Sequence, residues 1–111
     1  MPGRPYATIP TPEEERLWAA LLARQGQPFR TARGLAYTYS IRGNELFITR
    51  KDKSITRATV NMAYHTALRL QAQGLPVDGP KKLGTFGASY LYPVFIALGV
   101  IRLPVLPAQA E

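Results

Sequence analysis

The sequence predicts an α+β domain in which an N-terminal helix, a β-hairpin and two further helices follow one another. Three stretches carry this expectation. TPEEERLWAALLARQG has both ends of a helix marked in it, LAYTYSIRGNELFITRK alternates apolar and polar residues about a central Gly-Asn, and SITRATVNMAYHTALRLQAQG returns to a three-four apolar spacing. The order is α-β-β-α-α, with no internal repeat. A chain of 111 residues divided in two would leave pieces too small to bury a core, so residues 11–106 are expected to form a single globular domain.

Residues 1–10 contain three prolines, one glycine and no helical period, and read as an extended arm. In the first helix Thr11 is the N-cap, Pro12 suits the first turn, and Glu14 completes a Thr-x-x-Glu capping box. Glu13, Glu14 and Glu15 favour the positive end of the helix dipole, and Gly26 is the stop. Leu17, Leu21 and Leu22, with Trp18 beside them, form the expected core stripe. QPFRTARG is a basic connector with Phe29 turned inward.

In the hairpin, Gly43 and Asn44 both tolerate positive φ and are expected to form a two-residue type I′ turn. Arg42 then faces Glu45, Ile41 faces Leu46, and Tyr39 faces Ile48. Tyr39, Ile41, Leu46 and Ile48 share one apolar face, and Thr38, Ser40, Arg42, Glu45, Phe47 and Thr49 the other. The second helix is capped by Ser54 or Thr56 and ended by Gly74, with Thr56, Val60, Ala63, Ala67 and Leu70 toward the core. LPVDGPKKLGTFG is a turn-rich connector. ASYLYPVFIALG is a short third helix, with Ser89 as its cap, Pro93 in its first turn and Gly99 as its stop. VIRLPV adds a brief extended piece before a frayed tail at residues 107–111.

The formal charge is +7 and the sequence pI about 10.2, a balance that favours nucleic acid, acidic membrane or acidic protein as partner. The absence of cysteine removes disulfides, thiolate nucleophiles and thiolate metal sites. The N-terminus lacks a secretory apolar segment, and LYPVFIALGVI is too short and too broken to span a bilayer. A soluble, cytoplasmic protein with no membrane partner is expected.

Between Arg16 and Arg102 stand thirteen Lys or Arg residues and three acids, Glu45, Asp52 and Asp78. Arg50, Lys51, Lys53 and Arg57 crowd the entrance of the second helix, whose free amides favour anions. Arg57, Asn61 and His65, four apart, form a polar row along it. Arg suits the acceptor edge of guanine and Asn the donor–acceptor edge of adenine. SITRATV is similar to the recognition-helix entrance of helix-turn-helix proteins. Because a hairpin precedes it, the likeness implies a winged or hairpin-supported helix-turn-helix-like arrangement. A second locus is GPKKLGTFGASYLYP, where Lys81 and Lys82 precede Gly84 and Gly87. Its Gly-Thr-Phe-Gly resembles the GXXG loop of KH domains, which clamps a nucleic-acid backbone. Close packing of the third helix is the competing explanation for those glycines.

Among the aromatics, Tyr64, Tyr90, Tyr92, Phe86 and Phe95 suggest base stacking, although core packing explains Phe95 and one of Tyr90 and Tyr92 better. Phe47, on the polar side of the hairpin, either stacks on a base or is covered by another element. His65 is the single histidine and the internal acids are dispersed, so no catalytic residue, metal site or cofactor is expected.

The expected function is non-catalytic nucleic-acid binding, with duplex DNA favoured over RNA. Arg50, Lys51, Lys53, Lys81 and Lys82 are assigned to phosphates and Arg57 and Asn61 to base edges. Arg4 on the arm, Arg42, Phe47 and His65 are additional contacts. The alternatives are a protein–protein module or homodimer using the apolar third helix, and RNA binding through the Gly84–Gly87 loop.

Overall fold

The first helix begins where its capping box directs. In the computed structural model, which describes residues 9–103, α1 spans Pro12–Ala23. Thr11 Oγ1 accepts from the Glu14 amide at 3.1 Å, and Glu14 Oε1 accepts from the Thr11 amide at 3.0 Å. Leu17, Trp18 and Leu21 are buried, whereas Leu22 is exposed because it lies one position further round the helix than the stripe reaches. Most of the expected arm, with Arg4, and the whole expected tail lie outside the described residues.

Two small antiparallel sheets follow. β1 (Phe29–Arg30), in the expected connector, pairs with β2 (Ala36–Tyr37), from the start of the stretch expected to be the hairpin. β3 (Tyr39–Arg42) and β4 (Glu45–Ile48) form the predicted hairpin in the predicted register, Tyr39 opposite Ile48, Ile41 opposite Leu46 and Arg42 opposite Glu45. The turn differs from the expectation. Gly43 has φ +61°, and every other positive φ among the described residues also belongs to a glycine. Asn44 therefore does not take the second positive φ of a type I′ turn, and a lone glycine at the first position fits type II′.

A third strand, β5 (Ser54–Thr56), adds to the free edge of β4, with Ile55 opposite Leu46. Of the two expected caps, Ser54 therefore falls in the strand and Thr56 starts the helix, α2 (Arg57–Ala72). Thr56 is its N-cap, with Oγ1 accepting from the Thr59 amide at 3.2 Å, and so is exposed instead of buried in the core. Val60, Ala63 and Ala67 are buried as the spacing requires. At Gly74 (φ +78°) the Leu75 amide reaches back to Leu70 O at 2.9 Å, closing the helix in a Schellman motif.

A short 3₁₀ helix (Pro80–Leu83) leads to α3 (Ala88–Ala97). Ser89 is not its cap. Gly87 holds that position with φ +77°, which puts Pro93 inside the helix instead of in its first turn. Leu91, Tyr92, Val94 and Phe95 of α3 are buried in the core, with Tyr90 and Ile96 partly buried beside them. The stretch after α3 forms no strand within the described residues. Its backbone is held by Gln71, whose Nε2 donates to Val100 O at 2.9 Å and whose Oε1 accepts from the Arg102 amide at 2.9 Å.

The buried side chains form one cluster joining α1, the larger sheet, α2 and α3. Tyrosine hydroxyls tie the layers together. Tyr39 donates to Leu21 O at 2.6 Å, and Tyr37 donates to Tyr90 O at 2.6 Å. Burial pushes the Tyr39 phenol up to about 12 and raises that of Tyr37, so both remain donors. No described helix is long and apolar enough to cross a membrane.

Candidate nucleic-acid interface

The position of β5 decides where the basic residues go. A three-residue strand covers about 10 Å and runs antiparallel to β4, so it separates the 49–53 loop from the start of α2. The two places lie at opposite ends of the sheet. At one end, beside the hairpin turn, the Arg57 amide donates to Asn44 O at 2.8 Å. With Thr56 Oγ1 serving the Thr59 amide, two of the amides expected to be free for a phosphate are occupied.

The polar row along α2 turns toward α1. The Arg57 guanidinium lies 5.0 Å from the Trp18 ring centroid, 3.4 Å from Glu15 Oε1 and 3.5 Å from Asn44 Oδ1. Its Nε and the Oδ1 of Asn61 are both shut off from solvent without a hydrogen-bond partner. His65 Nε2 sits 2.6 Å from Glu14 Oε2, and this hydrogen bond holds the Glu14 carboxyl below its ordinary range against a smaller opposing effect of burial. Arg57 and His65, expected to meet nucleic acid, are thus engaged with α1. On the hairpin, Arg42 lies 4.2 Å above the ring of Phe47, so the half-buried aromatic is covered from within the chain.

At the other end of the sheet the 49–53 loop meets the start of α3. Lys51 and Lys53, with Ile48 and Ile55, form one wall of a cleft of about 270 Å³ whose opposite wall is Thr85–Tyr90. A second cleft of about 580 Å³ continues past the same residues and is bounded by Arg33 and Lys81. Thr85, Ala88, Ser89 and Tyr90 line both, so the two clefts adjoin at the N-terminus of α3 and are together called the groove. Among the described residues no carboxylate and no histidine lines it. The two basic loci, about thirty positions apart in the chain, are brought to its two ends.

Individual contributions differ. Arg50 Nε donates to Ala36 O at 2.7 Å, steadying β2 beside the groove. Lys82 pairs with Asp78 at 3.2 Å, leaving Lys81 as the groove-lining base of that locus. Gly84 and Gly87 line the two clefts and turn the chain there, with φ +65° and +77°. A Cβ on Gly87 would come 2.3 Å from Ile55 Cδ1, so close packing of α3 on β5 explains this glycine, whereas nothing lies within 4 Å of the corresponding point on Gly84. Arg33 was not among the expected contacts. It sits in the turn between β1 and β2, and the signal available in the sequence was the basic, glycine-bearing TARG.

Comparison of the chain with protein-family models, with curated proteins and with solved structures finds no match.

Proposed function

We propose that the protein binds nucleic acid without catalysing a reaction on it, receiving phosphates along the groove between Lys51 and Lys53 at one end and Arg33 and Lys81 at the other. One observation carries this reading: bases from three separate segments line two adjoining clefts that, among the described residues, no carboxylate lines. Such a lining concentrates positive potential in a concave channel, where it acts more strongly on a polyanion than it would on a flat surface. The helix N-terminus beneath it adds the positive end of a dipole. Among the described residues no carboxylate or histidine lines the groove, which supports a binding role over hydrolysis.

The recognition-helix mode expected from SITRATV needs Arg57 to leave Trp18, Glu15 and Asn44 before it can reach a base edge. That cost favours the groove as the binding surface. Four phosphate contacts predict that log K falls against log salt with a slope of about −3. Fluorescence anisotropy with a labelled oligonucleotide tests the proposal. Lys51→Glu with Lys81→Glu is expected to weaken binding at least about tenfold, and no binding by the unaltered protein at low salt refutes the reading.

A further inference from the structure

Resting on that reading, we infer that the groove takes a single strand, not a duplex, and that Phe86 is a base-stacking platform at its edge. Three features of the groove lead to this ligand.

The first is shape. A duplex is read by a protruding helix or ribbon that enters one of its grooves. Here the basic surface is concave, with Lys51, Lys53, Phe86 and Ser89 lining one cleft and Arg33, Lys81 and Ser89 lining the next. Volumes of about 270 and 580 Å³ suit individual nucleotides. The protruding element that a duplex would need, the start of α2, is closed by the hairpin turn and its Arg57 is packed on Trp18.

The second is the exposed aromatic. Phe86 is 51% exposed although it stands between two glycines at the entrance to a buried helix. Phe95 and Tyr92 from the same region are buried, and Phe47 has Arg42 over its ring, but no ring or cation covers Phe86 among the described residues. A π face beside lysines is the pairing by which single strands are held without regard to sequence: phosphates follow the bases' positive track and nucleobases stack on the aromatic. In a duplex the bases already stack on one another and offer no free face.

The third is an incomplete polar partner. Thr85 lines both clefts, and its Oγ1 is shut off from solvent without a hydrogen-bond partner. A buried hydroxyl of this kind carries an unmet hydrogen-bonding cost that a small rotation toward a phosphate or sugar oxygen relieves.

The experiment compares a labelled single-stranded oligonucleotide with the duplex of the same length, titrated at one low salt concentration against the unaltered protein, Phe86→Leu, Phe86→Trp and Lys51→Glu. The single strand is expected to bind at least about tenfold more tightly than the duplex. Phe86→Leu is expected to weaken single-strand binding about fivefold or more while leaving duplex binding unchanged, and Phe86→Trp to restore it. Equal or tighter duplex binding overturns the inference, as does a Phe86→Leu protein with unchanged single-strand affinity. If Lys51→Glu still weakens binding in those cases, the groove remains the nucleic-acid surface and only the choice of strand and the role of Phe86 fall. Binding to neither probe overturns both proposals.

Discussion

Gly87 is the position at which one added methyl group tests the architecture of the groove most directly. In Gly87→Ala the new Cβ would lie 2.3 Å from Ile55 Cδ1 and 2.7 Å from Ile55 Cγ1, both inside contact distance. Ile55 is 1% exposed and packed between sheet and helix, so it has little room to yield. Overpacking of this kind costs about 1–3 kcal/mol. The backbone adds a second cost, because φ is +77° and an L-residue pays about 1–2 kcal/mol for the left-handed region. The expected loss is therefore about 2–5 kcal/mol, a large part of a small domain's stability. Gly84→Ala is the control: with φ +65° and no atom within 4 Å, it meets only the backbone cost. Urea denaturation should rank Gly87→Ala below Gly84→Ala by about 1–3 kcal/mol. Ile55→Val, which removes the atom at 2.3 Å, should be less costly in the Gly87→Ala background than alone, with a coupling of about 1 kcal/mol. Equal losses at the two glycines, with no coupling to Ile55→Val, refute the packing of α3 on β5 and with it the groove wall.

Three further outcomes are expected. Tyr39→Phe removes one of the two donors to the Leu21 carbonyl, which keeps the Arg24 amide at 3.2 Å, and should cost about 0.5–1.5 kcal/mol in denaturant titration, with little effect on nucleic-acid binding. Arg57→Ala should destabilise by about 1–2 kcal/mol through loss of its packing on Trp18, and should change nucleic-acid affinity less than Lys51→Glu does, which an anisotropy titration measures. Glu14 titrates in the folded chain below its ordinary 4.5, so the folded state favours its ionised form. Its contribution to stability is present above that ordinary value and is lost as pH falls through the depressed one; His65→Ala should flatten this part of the acid-stability curve.

The elements with strong internal periodicity were legible from the residues alone. The capping box at Thr11 and Glu14, the hairpin register from Tyr39 to Ile48, and the apolar positions Val60, Ala63 and Ala67 were predicted and are present. Departures cluster where structure is short or depends on a partner. β1 and β2 have two residues each and β5 three, too few to show alternation, and their hydrogen bonds come from strands elsewhere in the chain. Thr56 was read both as a possible cap and, from the spacing of Val60 and Ala63, as a core residue; it is the cap, and its side chain is exposed. The turn at Gly43 kept its position and changed its type, since the positive φ required of Asn44 costs more than the one glycine accepts freely.

For the candidate interface the division is sharper. Lys51, Lys53 and Lys81 were identified from charge and spacing, and Gly84 and Gly87 from the turn between them and α3. Their common groove was not legible, and neither was Arg33, because sequence distance carries no information about which loops meet across a sheet.

By itself, then, the sequence determined the capped start of α1, the glycine end of α2, the hairpin register and the excess of positive charge. These rest on interactions between residues at most a few positions apart, or opposite one another across a two-residue turn. Only the tertiary structure decided where that charge acts. By pairing Ser54–Thr56 with β4, the fold moves the α2 entrance to the hairpin end and leaves Lys51 and Lys53 over α3. The physical reason is that β5 is stabilised by ladder hydrogen bonds and by burial of Ile55 against β4 and α3, contacts that exist only after the chain has come together.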